Sequence, residues 1–241
     1  MSNFWEPLLH YSDILEKYKV GFRKNYDQTL KLRNKVQCEI IRNLNNKHSA
    51  KIFFTKYNIK VPKLIYYTET EEELDTFIPD KYVAKPAHLS ENKFVFINNK
   101  DKAFVSLKLN KALKQEAGAR EPLMLRKAQR GILIEEYIDY DYELKVFVLY
   151  GKPIIADLRK GPKEWSRVTF IDEKNTYVDL KDIYQKICNI AKDLKIDFFR
   201  IDFFIKGKDI YGSEFAFRPS TILPLDIKSY IYNQWLEYSK K

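Results

Sequence analysis

The chain has 241 residues, 45% of them apolar and 32% charged, with a mean hydropathy of −0.47. That is long enough for one large domain or two small lobes around a core, and with 15% aromatic residues a disordered chain is excluded. Forty-three basic against thirty-three acidic side chains leave a net charge of +10, which favours an anionic partner: nucleotide phosphate, nucleic acid, acidic polymer or membrane surface.

The first sixty residues read as helical. The opening stretch MSNFWEPLLHYSDILEKYK is studded with acids and does not fit a secretory signal. From Tyr26 to Leu44, apolar residues at Leu30, Leu32, Val36, Ile40, Ile41 and Leu44 recur at helical spacing. A second helix is expected from about Ser49 to Tyr57. Pro62 then imposes extended geometry and starts a strand at Lys63–Tyr67. Thr70-Glu71-Glu72-Glu73-Leu74 resembles a capped helix start.

Strands dominate from residue 81. Lys81–Lys85 is stopped by Pro86, Phe94–Ile97 is a short apolar run, residues 102–116 are predicted helical, and Glu121–Arg130 is a basic connector. Ile132–Ile138 is a strand running into the turn Asp139-Tyr140-Asp141. Leu144–Leu149 and Pro153–Leu158 make a hairpin about Tyr150-Gly151. Arg167–Ile171 is another strand and Leu180–Leu194 an amphipathic helix. A second hairpin joins Phe199–Ile205 to Asp209–Ala216 about Gly207, and a last helix is predicted from Leu225 to Tyr238. Helices come first, then mostly antiparallel strands with inserted helices, which argues for an α+β fold.

No run of eighteen apolar residues exists to span a membrane. Two cysteines cannot build a disulfide scaffold or a four-cysteine zinc site. Cys38 and Cys188, each in an apolar helical pattern, are expected as buried small residues in a reducing compartment, and the chain as cytoplasmic. His10, His48 and His88 are too scattered for a metal cluster. No GxxxxGKS/T or GxGxxG loop is present, and no nucleophile elbow.

The residues suited to chemistry are charged groups inside apolar strands. Asp202 and Glu214 are lone carboxylates, and if their strands pair through the Gly207 turn both could lie close together on one sheet face. There they could hold a magnesium ion, which takes only one or two protein carboxylates, or pair with Arg200, Arg218 or a lysine. Lys85 ends an apolar strand before Pro86-Ala87-His88-Leu89-Ser90, where its ammonium could meet a phosphate or reach solvent. Lys145 and Glu143 share a strand face and could serve a ligand or a salt bridge. Glu135-Glu136-Tyr137-Ile138 could offer its edge to a planar base, with Glu143 for ribose hydroxyls, or be an ordinary strand. The basic stretches Lys17–Arg33 and Arg120–Arg130 fit nucleic acid or a solvated helix face.

Taken in order, these fragments resemble the ATP-grasp superfamily. The set comprises Asn46-Lys47, Lys56-Tyr57-Asn58-Ile59-Lys60-Val61-Pro62, Tyr82-Val83-Ala84-Lys85-Pro86-Ala87-His88, Ile134-Glu135-Glu136-Tyr137-Ile138, Glu143, Arg200-Ile201-Asp202 and Glu214-x-x-x-x-Pro219. Leu144-Lys145-Val146-Phe147 followed by Tyr150-Gly151-Lys152-Pro153 looks most like the small teichuronopeptide and polysaccharide-biosynthesis members.

The resemblance implies a helical segment at 1–45 and an ATP-grasp domain at 46–241, with a small lobe at about 81–138 and a larger one at about 139–241. Nucleotide would lie between two antiparallel sheets. It further implies Lys47 and Lys85 on ATP phosphates, a loop with His88 and Ser90 closing over them, and Glu135, Glu136 and Ile138 lining the adenine slot. Glu143 would take the ribose, Asp202 and Glu214 Mg2+, and Arg200 and Lys145 the transferred phosphoryl group. Arg159, Arg167 and Arg218 would flank the acceptor. The implied reaction joins a carboxylate to an amine through an acyl phosphate, on a polysaccharide, its precursor or another anionic acceptor. An ATP-grasp kinase, a degenerate ATP-binding pseudoenzyme and a basic nucleic-acid-binding protein are the alternatives. Three positions depart from the family pattern: His88-Leu89-Ser90-Glu91-Asn92-Lys93 has no glycine, Ala216 stands for a metal-binding asparagine, and Ser220 for a glycine.

Overall fold

The computed structural model describes residues 35–89, 94–115, 128–160, 165–171 and 180–217, and in the last stretch 227, 229–231, 233, 234 and 237. The chain divides into a compact unit of residues 39–217 and a second formed by 1–38 with 218–241. In the second unit Ile227 and Ile231 are buried. Of the predicted helix at 225–238, the described residues 227, 229–231, 233, 234 and 237 are helical, whereas the basic stretches at 17–33 and 120–127 fall outside the described residues.

Two antiparallel sheets organise the larger unit. The first has four strands, β1 (Leu64–Thr68), β2 (Val83–Pro86), β3 (Phe96–Ile97) and β4 (Ile132–Glu135), in the order β1-β4-β2-β3. The second has five, β5 (Tyr142–Leu149), β6 (Lys152–Lys160), β7 (Trp165–Phe170), β8 (Phe198–Lys206) and β9 (Asp209–Ala216), in the order β7-β6-β5-β8-β9. Four helices accompany them among the described residues: α1 (Lys35–Leu44), α2 (Lys47–Lys56), α3 (Lys102–Leu113) and α4 (Lys181–Leu194). The α+β fold class expected from the sequence is what the chain adopts.

Alternation decides which face of each strand is buried. In the first sheet Ala84, Ile132 and Ile134 pack with Val105, Leu109 and Leu113 of α3, leaving Lys85 and Glu135 on the opposite face. In the second, α4 buries Ile183, Tyr184, Ile187, Ile190, Ala191 and Leu194, its helical stripe, and packs on β6. Each fully buried Leu or Ile of such a stripe is worth about 2 kcal/mol. Cys188, at the margin of that stripe, is half-buried rather than fully enclosed, and the side chain of Cys38 lies outside the described residues.

Local chemistry sets the connections. The β5–β6 hairpin closes on Tyr150 and Gly151, both at positive φ (45° and 83°), the twist a two-residue hairpin requires. Asn46 caps α2 by accepting from the His48 and Ser49 amides, so that helix begins at Lys47 rather than Ser49. The helix start expected at Thr70 does not form. The Glu72 carboxylate accepts instead from the hydroxyls of Tyr66, Thr68 and Thr70, which ties the segment into a turn, and only Asp75–Phe77 is helical, as a single 3-10 turn.

α2 packs against β9, the free edge of the second sheet. Phe54 stacks on Phe215 at 4.8 Å, and a Cβ on Gly212 would come within 2.5 Å of the Phe54 ring. The chain after α2 continues the contact, with Gly212 N–H donating to Lys60 O at 2.7 Å. A glycine at 212 is therefore the condition for helix and sheet to meet this closely.

Candidate active site

The second sheet carries one charged face. Asp157 of β6, Lys145 of β5, Asp202 of β8 and Glu214 of β9 are successive cross-strand partners, forming a single rung across four strands. One pleat away on the same face lie Arg159, Glu143 and Arg200. The opposite face is apolar: Leu144, Val146, Ile201 and Phe203 are all fully buried. A bulge between Asp202/Phe203 and Glu214/Gly212 brings Glu214 into register with Asp202.

The rung is cross-linked. Arg200 grips Asp202 with both ends of its fork, Nε to Oδ1 and Nη2 to Oδ2, each at 2.6 Å. Lys145 Nζ stands 3.0 Å from Glu143 and 3.6 Å from Asp202. The Arg200 guanidinium also lies 5.9 Å from the Phe147 ring centroid. Arg159 binds Asp157 through Nε and Nη2, both to Oδ2, at 2.8 and 2.5 Å.

Lysines arrive from α2 and the first sheet. Lys47 and Lys51 are one helical turn apart. Lys47 donates to Leu89 O at 2.6 Å and lies 3.8 Å from Glu214. Lys51 and Lys85 converge on Glu135, at 2.8 and 2.7 Å, in a triad whose members are at most 8% exposed. The structure thus brings Lys47, Lys85, Glu135, Glu143, Lys145, Arg200, Asp202 and Glu214 into one linked cluster.

Burial and neighbours set the charge states. Burial pulls the Lys51 ammonium down to about 8, although Glu135 opposes it. Lys47 is also lowered, first by burial. Burial pushes Glu135 upward, but Lys85 and Lys51 outweigh it and hold the carboxyl below its ordinary range. The facing carboxylates diverge. Burial raises Asp202 against the pull of Arg200, whereas at Glu214 burial is outweighed by Lys47 and Arg200 and the group is lowered. Glu214 keeps 34% of its side chain exposed, against 1% for Asp202, so it is the more accessible of the two.

Other expected site residues have different surroundings. His88 is buried, with Nε2–H donating to Gln115 O at 3.0 Å and Nδ1 accepting from Gly131 N–H at 3.4 Å; burial lowers its pKa and the ring is neutral. The Glu136 carboxylate accepts from the Lys63 amide at 2.9 Å, extending the β1–β4 pairing past the strand end. Ile138 is buried. Arg167 lies in β7 opposite Leu158, its side chain outside the described residues, and Ser90 and Arg218 fall outside them altogether. Ala216, on the Glu214 side of β9, is the register partner of Arg200.

Lys51, which joins the cluster through Glu135, and Asp157, which lies beside it, are not singled out by the sequence. Lys51 stands four residues after Lys47 in a helix, and Asp157 two before Arg159 in a strand, so each shares a face with a recognised residue. Nothing in the sequence separates them from ordinary surface charges; burial does.

The donors themselves bear on Mg2+. Asp202 and Glu214 offer hard oxygens from directly facing positions, and among the described residues no cluster of three or more acidic, histidine or cysteine ligands exists. Two carboxylates with the remaining positions left to water and phosphate is what magnesium accepts. The residues fit.

No family model and no curated protein matches the chain. Solved structures do. The D-alanine–D-alanine ligase of Bacillus anthracis, complexed with ATP, superposes with a TM-score of 0.56 at 18% identity, over 81% of this chain and 65% of that one. The D-cycloserine synthetase DcsG gives 0.58 at 11% identity, over 84% and 72%. The macrocyclase MdnC from Microcystis aeruginosa MRC, bound with the precursor peptide MdnA, gives 0.55 at 12% identity, over 86% and 64%. The chain spans under two thirds of the first and third of these proteins. At such identities the likeness is one of fold, and the fold is that of the ATP-grasp proteins.

Proposed function

We propose that this chain is an Mg-ATP-dependent ligase that activates a carboxylate as an acyl phosphate and joins it to an amine. One arrangement carries the reading: Lys47 of α2 stands 3.8 Å from Glu214, which faces Asp202 across the second sheet, and Lys85 of the first sheet acts on the same Glu214 through its charge. Lys47 and Lys85 would hold the ATP phosphates, and the Glu135 carboxylate aims Lys85 through their 2.7 Å ion pair. Backbone groups at Glu136 and Ile138 would meet the adenine and Glu143 the ribose. His88 and Ser90 would belong to the loop covering the phosphates.

Asp202 and Glu214 would hold magnesium, which when bound would supply positive charge to offset that of the phosphates during transfer. Arg200 is locked by its two bonds to Asp202, so its guanidinium needs no reordering to face a charged phosphoryl group. Lys145 stands beside it with 14% of its side chain exposed. Arg159 and Arg218 would face the anionic acceptor, which the sequence likeness points to as a polysaccharide or its precursor, whereas the register of Arg167 with Leu158 puts that position on the other face of the sheet. Among the described residues no helix is long and apolar enough to cross a membrane. A cytoplasmic setting supplies both ATP and magnesium.

Calorimetry with Mg-ATP tests the reading. The wild-type chain is expected to bind, and Lys85→Ala to bind at least tenfold more weakly, about 1.4 kcal/mol. Release of ADP together with phosphate in the presence of acceptor is expected of a ligase. A stable phosphorylated acceptor would make the chain a kinase, and no binding of Mg-ATP would overturn the proposal.

A further inference from the structure

Two arginine–aspartate pairs lie on the charged face, and their geometries differ. Arg200 and Asp202 are matched, each donor nitrogen with its own oxygen. In the other pair both Arg159 nitrogens converge on Oδ2 of Asp157. Among the described residues Oδ1 of Asp157 accepts no hydrogen bond, although the residue is only 1% exposed. Leaving a buried charged oxygen without a donor costs upwards of about 1–3 kcal/mol. Such an atom in a folded protein calls for an account.

Lys145 is the direct cross-strand partner of Asp157, yet its ammonium turns to Glu143 and Asp202. The carboxylate is therefore not consumed by the cluster beside it. It lies one strand from Lys145 and two from Asp202, roughly 10 Å at the usual strand spacing. The chemistry that satisfies the oxygen is an N–H donor, best a cationic one.

We infer that Asp157 is a specificity-determining residue that receives the primary amine of the acceptor through Oδ1, with Arg159 fixing the carboxylate by holding Oδ2. This rests on the ligase reading above. Arg159 keeps 36% of its side chain exposed, so a cation for an acidic group of the same acceptor stands beside the amine seat. An amine-bearing acceptor with an acid close by is the class that fits.

The test uses the full chain with Mg-ATP and a panel of L- and D-amino acids and amino sugars, read by ADP release, in wild type and Asp157→Asn. Hydroxylamine, uncharged at neutral pH, serves as a second probe that traps an acyl phosphate as hydroxamate without needing an ammonium seat. The expected result is a KM for the amine at least tenfold higher in Asp157→Asn, with the hydroxamate rate and Mg-ATP affinity within twofold of wild type. An unchanged amine KM overturns the inference, as does a panel in which no amine stimulates ADP release. An equal fall in the hydroxamate rate also overturns it, since Asp157 then only supports Arg159 and the sheet. Failure of wild type to bind Mg-ATP overturns the ligase reading instead, and is seen in the calorimetry before any amine is added.

Discussion

The two charged regions of this molecule dispose of charge in opposite ways. On the first sheet and α2, two ammonium groups enclose one carboxylate, all nearly sealed from water. On the second sheet, Asp157, Glu143, Asp202 and Glu214 outnumber Lys145, Arg159 and Arg200, and several of them reach the surface. The first region has a surplus of positive charge and the second a surplus of negative charge. Lys47 joins the two through Glu214. The difference shows how one +10 chain builds two regions of opposite surplus charge, as the proposed site for a polyanion and its counter-ion would need.

The sharpest way to break this contrast is to empty the first region of its anion. Glu135→Ala leaves Lys51 and Lys85 buried and unpaired and is expected to lower stability by about 4 kcal/mol in chemical denaturation. The pH dependence of the same triad comes next. Lys51 titrates at about 8 when folded against 10.5 unfolded, so between these values the unfolded chain binds the extra proton and stability rises with pH. The gain from this group is about 3 kcal/mol across the window, and Lys51→Met is expected to flatten that slope in denaturation midpoints measured from pH 8 to 10.5.

In the second region, Asp202→Asn takes a charged partner from buried Arg200 and is expected to cost about 2 kcal/mol while abolishing ADP release. Gly212→Ala strikes the bridge instead: its methyl meets the Phe54 ring, and about 1.5 kcal/mol of overpacking is expected from thermal unfolding. The smallest stability effect belongs to Glu214→Gln. Its side chain is one-third exposed, so stability should stay within about 0.5 kcal/mol while Mg-ATP turnover is lost. Intact turnover in that variant would separate the carboxylate from the metal.

Strand positions and helix stripes are largely legible in the amino-acid sequence. The 3.6 spacing of Ile183, Ile187, Ile190 and Leu194, and the hairpins about Tyr150-Gly151 and Gly207, are local signals that survive folding. The segment at Thr70 misleads because a capped helix and a hydroxyl-tied turn look alike in sequence: Glu72 bonds three hydroxyls before it can serve a helix. Of the site, Lys85, Glu143, Lys145, Asp202 and Glu214 are visible as charges set in apolar strands. Lys51 and Asp157 are not, because a lysine on a helix and an acid near a sheet edge look ordinary until their burial is known.

By itself, then, the order of residues determined the elements and the alternation within each strand, which puts Glu143 with Lys145 and Arg200 with Asp202 on one face, since that follows from a period of two. Only tertiary structure decided how those faces were joined. The bulge that sets Glu214 opposite Asp202, the glycine that lets α2 close on β9, and the burial that turns Glu135 into a shared counter-ion each depend on chain segments far apart in sequence. The physical reason is that pairing energy is local, whereas the low dielectric that gives a charge its partner is created by the whole fold.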